Sequence, residues 1–423
     1  MMFQEAEALL TTFLSPLALD EFLDHTLVGG FTRIAGNATA SRTALLGADP
    51  ESVLLGAFHL APKLSFHSAN PAGPPPSLDS VAGAADFQRR IAEFHARNYS
   101  VRFPELRPLS PELDRLARAF EVLLHQPVTA SAFWSRGGMR APVHYDDHDL
   151  LVVQLRGSKR WYVSSNPSEL HNTWKTIPSA APQLGPHHSV DVHPGDLIYL
   201  PRGTFHSVDS DQGSLHLSIG FTPLTVREAV IAALDHLSDL DRGWRGTLGA
   251  RLGSLLHGAG LEQLAPAVVQ GAAALLKACE TPGFIDSALQ WRSGRVIAAM
   301  APALNTAAAP VTLDLDTELV QSEMAFCHLT ASPARIDVSY PGGHLYIHRG
   351  AQPAIEFMVN SPRFRVRDIP GEIGDEVRIS LAERFVEIGF LQSAAGPRHA
   401  PSRQTPDTSR AEPRAPPLSG AAR

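Results

Sequence analysis

His144 and Asp146 stand two residues apart in HYDDHDLLVVQLRGSKRWYV, residues 144–163. Both types bind metal ions, and on an extended chain residues two apart leave the same face, roughly 7 Å apart along it. A third ligand has to come from another segment. The best candidate is His206, which HPGDLIYLPRGTFHSV, residues 193–208, delivers at the start of a strand after a Pro-Arg-Gly turn. Two histidines and one carboxylate make the facial triad of non-haem Fe(II) oxygenases, with coordination positions left open. Open positions can take a co-substrate, dioxygen or water, which suits oxygen activation better than a closed structural zinc site. A His-x-Asp pair alone is common by chance. The case for this one comes from His206, in the same β-rich block.

Lys159 is the next residue that could do chemistry. LLVVQL runs into the turn Arg156-Gly157-Ser158, and KRWYV starts the partner strand. Lys159, Trp161 and Val163 then share a face, and the two apolar residues mark it as inward. An inward ammonium needs an anion, because an unpaired buried charge is costly. A dicarboxylate bound to the metal at one end would supply that anion at the other. The plain alternative is a surface lysine flanking a turn. Tyr145 should point away from the ligands, and Asp147, His148 and Asp149 read as a polar entry to the strand. His187, His188 and His193 read as solvated loop residues. His344 and His348 alternate with apolar hairpin residues, with no carboxylate in their own strand.

The elements that must position these residues lie between Val128 and Thr222. VTASAFW, LLVVQL, RWYV, DLIYL and SLHLSIGF alternate with turn signals, the pattern of an antiparallel barrel or jelly roll. Before this block come short elements, a helix pattern in LSPLALDEFLDHTL, and a Pro/Gly/Ser-rich loop at 68–85. Two further helix patterns follow the loop, DFQRRIAEFHARN and PELDRLARAFEVLLHQ. After Pro223 the helical period returns to about residue 300. A small α/β module then opens on a strand with Val311, Leu313 and Leu315. It continues through the hairpin RIDVSYPGGHLYIH and closes on a helix with Val377, Leu381, Phe385 and Ile388. Residues 393–423 have little to bury and read as disordered.

Composition narrows the function classes. The chain has 423 residues, enough for two or three domains, and 44% of them are hydrophobic. A net charge of −7 argues against a global polyanion-binding surface. Cys279 and Cys327 cannot form a disulfide framework, so a reducing, cytoplasmic setting is expected. No apolar run is long enough for a membrane span, and the first residues read as an amphipathic helix rather than a signal peptide.

The motifs in their order, HYDDHDLLVVQLRGSKRWYV, HPGDLIYLPRGTFHSV and SLHLSIGF, resemble the cupin-like JmjC oxygenases, most closely the ribosomal-oxygenase group. The resemblance covers about residues 100–222. It implies an α+β chain with a double-stranded β-helix core, a jelly-roll of cupin-like JmjC type. It also implies iron(II) on His144, Asp146 and His206, with 2-oxoglutarate and O2 as co-substrates and Lys159 holding the distal 2-oxoglutarate carboxylate. The domains implied are a catalytic domain at 1–223, a dimerisation-like helical region at 224–304, a winged-helix-like module at 305–392 and a tail at 393–423. A protein substrate, an Arg or His side chain of a ribosomal protein, and a homodimer follow from the same resemblance. Alternatives are an oxygenase tailoring a peptide or small molecule, and a non-catalytic cupin-like binding protein. Members often carry an asparagine fourteen residues before the first iron ligand; that position here is Ala130. The winged-helix expectation raises nucleic-acid binding, but residues 354–391 hold five arginines against seven acids, a poor phosphate-binding surface.

Overall fold

The strands expected between Val128 and Thr222 form two facing antiparallel sheets in the computed structural model, which describes all residues except 1–2, 29, 37–38, 169–182, 211–212, 247–260, 303–311 and 395–423. Ahead of that block come helices α1 (Phe3–Leu14), α2 (Leu19–Val28), α3 (Thr39–Thr43), α4 (Pro50–Gly56), α5 (Ala84–Ala96) and α6 (Pro111–Leu124). Strands β1 (Thr32–Ile34), β2 (Ser65–His67) and β3 (Ser100–Phe103) lie among them. The block itself holds β4 (Thr129–Ser135), β5 (Met139–Arg140), β6 (Asp149–Arg156), β7 (Lys159–Ser164), β8 (His187–Val192), β9 (Leu197–Leu200), β10 (His206–Ser210) and β11 (Ser214–Phe221).

The larger sheet has the order β1-β9-β6-β11-β4-β3-β2 and the smaller β5-β10-β7-β8. Between them, Val152, Ile198 and Leu200 of the larger sheet meet Trp161, Val163, Val192 and Val208 of the smaller. The other face of the larger sheet packs on the N-terminal helices, where Ala130, Leu151, Leu217 and Ile219 join Phe22, Phe94 and Phe120 in one core. This is a jelly roll with a helical layer on its back.

Local chemistry explains the elements. In α6 the Ser110 hydroxyl accepts from the Leu113 amide, Pro111 opens the first turn, and Leu113, Leu116 and Phe120 are buried at helical spacing. The β6–β7 turn needs Gly157 at φ +60°, because a Cβ there would lie 1.9 Å from the Gly213 carbonyl oxygen. Arg42, fully buried, donates to the carbonyls of Phe13, Ser15, Ala35 and Gly195, tying the N-terminal layer to the turn before β9.

Beyond the jelly roll, α7 (Val226–Leu240), α8 (Leu261–Cys279) and α9 (Phe284–Ala299) occupy the region where the helical period returned. The last module contains β12 (Glu318–Gln321), β13 (His328–Ala331), β14 (Arg335–Tyr340), β15 (Gly343–His348), α10 (Gln352–Asn360), β16 (Arg363–Arg365), α11 (Asp375–Glu387) and β17 (Leu391–Ser393). Its sheets are β16-β12-β17 and β13-β14-β15, and the hairpin expected around Pro341-Gly342-Gly343 joins β14 to β15. A tight helix-turn-helix does not occur there, since β16 separates α10 from α11. Arg363 pairs with Glu318, Arg367 with Asp316, Arg378 with Asp375 and Arg384 with Glu387, so four of the five arginines of residues 354–391 already have acidic partners.

Two expectations need correction. Leu313 and Leu315 are not in a strand: they lie in the turn region before β12, where Leu313 is buried as a loop anchor, and Val311 lies outside the described residues. His187 and His188 are exposed, but they belong to edge strand β8, whose inward residues are Val190 and Val192. His344, whose own strand holds no carboxylate as expected, lies 3.0 Å from Asp337 of the neighbouring strand. The tail read as disordered lies, from residue 395, outside the described residues. Among those described, no helix is long and apolar enough to cross a membrane.

Candidate metal centre

The chain segments that carry the three candidate ligands are clamped to each other by backbone. The His144 amide donates to the His206 carbonyl at 3.0 Å, and the His206 amide returns the bond at 2.8 Å. The Gly203 amide donates to the Asp146 carbonyl at 2.7 Å, which ties the Pro-Arg-Gly turn to the backbone of Asp146. His206 opens β10 as expected. His144 and Asp146 are not inside a regular strand; they lie on the bridged segment leading into β6. One potential ligand atom from each of His144, Asp146 and His206 lies within 4.8 Å of the others, the only such group of three among the described residues. His206 Nε2 is 3.6 Å from Asp146 Oδ2, and the two imidazole centroids are 4.3 Å apart.

The second nitrogen of each histidine has a carbonyl partner. His144 Nδ1 lies 2.8 Å from the Pro142 carbonyl and His206 Nδ1 3.0 Å from the Thr204 carbonyl. A carbonyl only accepts, so each Nδ1 carries the proton and each Nε2 lone pair is free for a metal. Burial, aided by the nearby His144, pushes the His206 pKa down to about 4, so its imidazole is neutral at neutral pH. His206 is buried and stacks on Trp161 at 5.6 Å, whereas the Asp146 side chain is 38% exposed. That donor set fits a divalent ion of the iron class with one side open to solvent.

Lys159 is buried on the inward face with Trp161 and Val163, as the alternation predicts. Its ammonium donates to His216 Nδ1 at 2.9 Å and to the Phe133 carbonyl at 3.4 Å. Burial pulls its pKa from 10.5 down to about 7. His216 sits on β11 directly opposite Phe133 of β4, with their rings stacked at 5.1 Å. Its own pKa is held well below the ordinary value by burial and then by the charge of Lys159. His67, from β2, completes this wall against Phe133, and burial followed by the Lys159 charge lowers it to about 4. Neither His216 nor His67 was picked out from sequence.

Of the neighbouring residues, Asp149 alone departs from expectation. Asp147 and His148 are exposed and paired with each other. Asp149 is not solvated: it is buried, accepting from the Tyr199 hydroxyl at 2.6 Å and the Arg202 amide at 3.1 Å. Its carboxyl pKa is raised by burial against those hydrogen bonds. Tyr145 packs edge-on against Phe205, away from the ligands. Ala130 faces the helical layer, and its neighbour Ser131 takes the sheet's inner face, accepting from the Arg102 guanidinium at 3.0 Å.

Residues 107–229 match the model of the JmjC domain family. Ribosomal oxygenase 2 of Rattus norvegicus is 30% identical over 142 residues, 32% of this chain and 30% of that protein. The uncharacterized protein YxbC of Bacillus subtilis is 26% identical over 164 residues, covering 34% of this chain and 49% of the relative. The chain thus spans between about a third and a half of the length of these relatives. Among solved structures, Escherichia coli ycfD superposes with a TM-score of 0.52 at 16% identity, over 89% of this chain and 98% of that one, a likeness of fold.

Proposed function

We propose that this chain, whose residues 107–229 form a JmjC domain, is an iron(II)- and 2-oxoglutarate-dependent oxygenase that hydroxylates a protein side chain. The observation that carries the reading is the convergence of His144, Asp146 and His206 next to a buried ammonium that has no acidic partner among the described residues. Iron(II) bound there supplies dioxygen activation, driven by oxidative decarboxylation of 2-oxoglutarate to succinate and carbon dioxide.

The chain's own residues have separable tasks. His144 and His206 offer neutral Nε2 atoms, each oriented by a carbonyl on Nδ1. Asp146 offers the single negative charge of the set and stands on its open side. Lys159 meets the distal carboxylate of 2-oxoglutarate, which supplies the counter-charge that its two neutral partners do not. Trp161, stacked on His206, and Val163 give the buried side of the ligand set an apolar wall.

The substrate proposed is an Arg or His side chain of a ribosomal protein, in line with the relative named ribosomal oxygenase. A homodimer through α7 and α8 is part of the same reading, since Val226, Val230, Val268, Val269 and Leu276 are exposed there. Unpaired Cys279 and Cys327 fit a cytoplasmic setting. Two measurements test the proposal. Purified protein with Fe(II) and 2-oxoglutarate should form succinate, and His144→Ala should abolish it. Mass spectra of ribosomal proteins from wild-type and deletion cells should differ by one oxygen. Absence of succinate would sink the oxygenase; succinate without a ribosomal mass difference would sink only the substrate.

A further inference from the structure

Lys159 is held by two neutral acceptors and by nothing else that the described residues offer. An ammonium has three N–H bonds. The Phe133 carbonyl at 3.4 Å and His216 Nδ1 at 2.9 Å take two of them, which leaves the third to point at a ligand. The Phe133 carbonyl is fixed by the β4 backbone, and its contact is the longer one. The side chain that sets the direction of the ammonium is therefore His216.

We infer that His216 is a positioning residue for the co-substrate: through its unprotonated Nδ1 it orients the Lys159 ammonium toward the distal carboxylate of a bound 2-oxo dicarboxylic acid. The inference rests on the reading of Lys159 as the co-substrate anchor. Three further observations support it. His216 is fully buried on β11, between the ring of Phe133 at 5.1 Å and that of Trp161 at 5.5 Å, so the imidazole cannot swing away. An Nδ1 that accepts from an ammonium places the ring proton on Nε2, and burial keeps the ring neutral in that tautomer. The groups around Lys159 that titrate are His216 of β11 and His67 of β2, both held neutral, so no carboxylate among the described residues competes with an incoming anion.

The consequence for pH has a definite sign. Lys159 loses its proton near pH 7 in the empty pocket, whereas a bound dianion requires the charged form. Affinity for 2-oxoglutarate should fall as pH rises above about 7. Removing the Nδ1 acceptor destabilises the ammonium further, so the fall should begin at lower pH.

The test is calorimetric titration of Mn(II)-loaded, oxygen-free protein with 2-oxoglutarate at pH 6 and pH 8, which requires no turnover. His216→Asn keeps an acceptor oxygen near the place of Nδ1; His216→Leu removes it, with His216→Met as the second apolar variant should the branched side chain not fit. Expected is a loss of roughly tenfold in affinity for the apolar variant, the equivalent of about 1.4 kcal/mol. That loss should be larger at pH 8 than at pH 6, with His216→Asn within about threefold of wild type and Mn(II) affinity equal in all. Equal 2-oxoglutarate affinity in wild type and the apolar variant overturns the inference and leaves the anchor reading standing. Equal weakening of the apolar and Asn variants, with no dependence on pH, reduces His216 to packing and also overturns it. A wild-type protein that does not bind 2-oxoglutarate at all removes the anchor reading and the inference together.

Discussion

Metal binding at His144, Asp146 and His206 should stabilise the jelly roll by an amount that can be worked out. The ligands come from two segments, the run before β6 and the start of β10, joined by two backbone hydrogen bonds. Unfolding separates residues 144 and 206 and destroys the site, so an ion that binds only the folded form adds its full linkage energy. At a hundredfold excess over Kd that energy is about 2.7 kcal/mol. For a unit of roughly 200 residues each kcal/mol raises Tm by about 2–4 °C, so the shift should be about 5–11 °C. The assay compares thermal melts of chelator-stripped protein with and without Mn(II). His206→Ala also removes a stacking partner of Trp161 and a donor to the Thr204 carbonyl, so the stripped variant should melt lower than stripped wild type. The decisive quantity is the metal-induced shift within each variant. It should shrink to about 1 °C or less in His206→Ala, because loss of one of three ligands costs well over the hundredfold excess. His193→Ala, at an exposed histidine of the turn before β9, should keep the wild-type shift. An undiminished shift in His206→Ala, or a shift lost in His193→Ala, refutes the assignment.

Three other perturbations probe how the fold carries the site. Gly157→Ala should destabilise by about 2 kcal/mol or more in urea melts, since φ is +60° and the Cβ collides with the Gly213 carbonyl; because the turn sets the register of Lys159, 2-oxoglutarate affinity should fall with it. His95 is buried against the Trp134 carbonyl, and burial depresses its pKa from 6.5 to about 4. The unfolded chain then binds the extra proton, so this stability is complete above pH 6.5 and is lost as pH falls toward 4, by about 3 kcal/mol at the low end. Urea midpoints between pH 7 and pH 4.5 should show that slope, and His95→Leu should flatten it. Arg42→Met leaves the carbonyls of Phe13, Ser15, Ala35 and Gly195, those of Phe13 and Gly195 buried, without their donor and should cost about 2–4 kcal/mol by denaturant titration, more than any exposed arginine replaced the same way.

The residues that were legible in the sequence and those that were not differ in one physical respect. Helix α5 has one face on the core and one in solvent, so its apolar period reports burial directly, and the β14–β15 hairpin is marked by its Pro-Gly-Gly turn. His144, Asp146 and His206 were found because ligand chemistry and turn signals mark them independently of burial. β11 gives no such help. All eight of its residues, Ser214 to Phe221, are buried, because the larger sheet is covered by helices on one side and by the smaller sheet on the other. Its alternation of Leu215, Leu217 and Ile219 with Ser214, His216 and Ser218 therefore distinguishes two interiors, not core from solvent. The apolar set packs on the helices and the polar set lines the inside of the jelly roll beside Lys159. Asp149 was misread for a related reason: a charged residue at a strand start looks solvated, yet the Tyr199 hydroxyl and the Arg202 amide satisfy it where no water is needed. In a strand buried on both faces, a polar residue is costly unless it is hydrogen-bonded, and the partner of His216 is the ammonium of Lys159. A histidine at alternate spacing in such a strand is thus a site candidate on physical grounds, and His216 is where that reasoning leads in this chain.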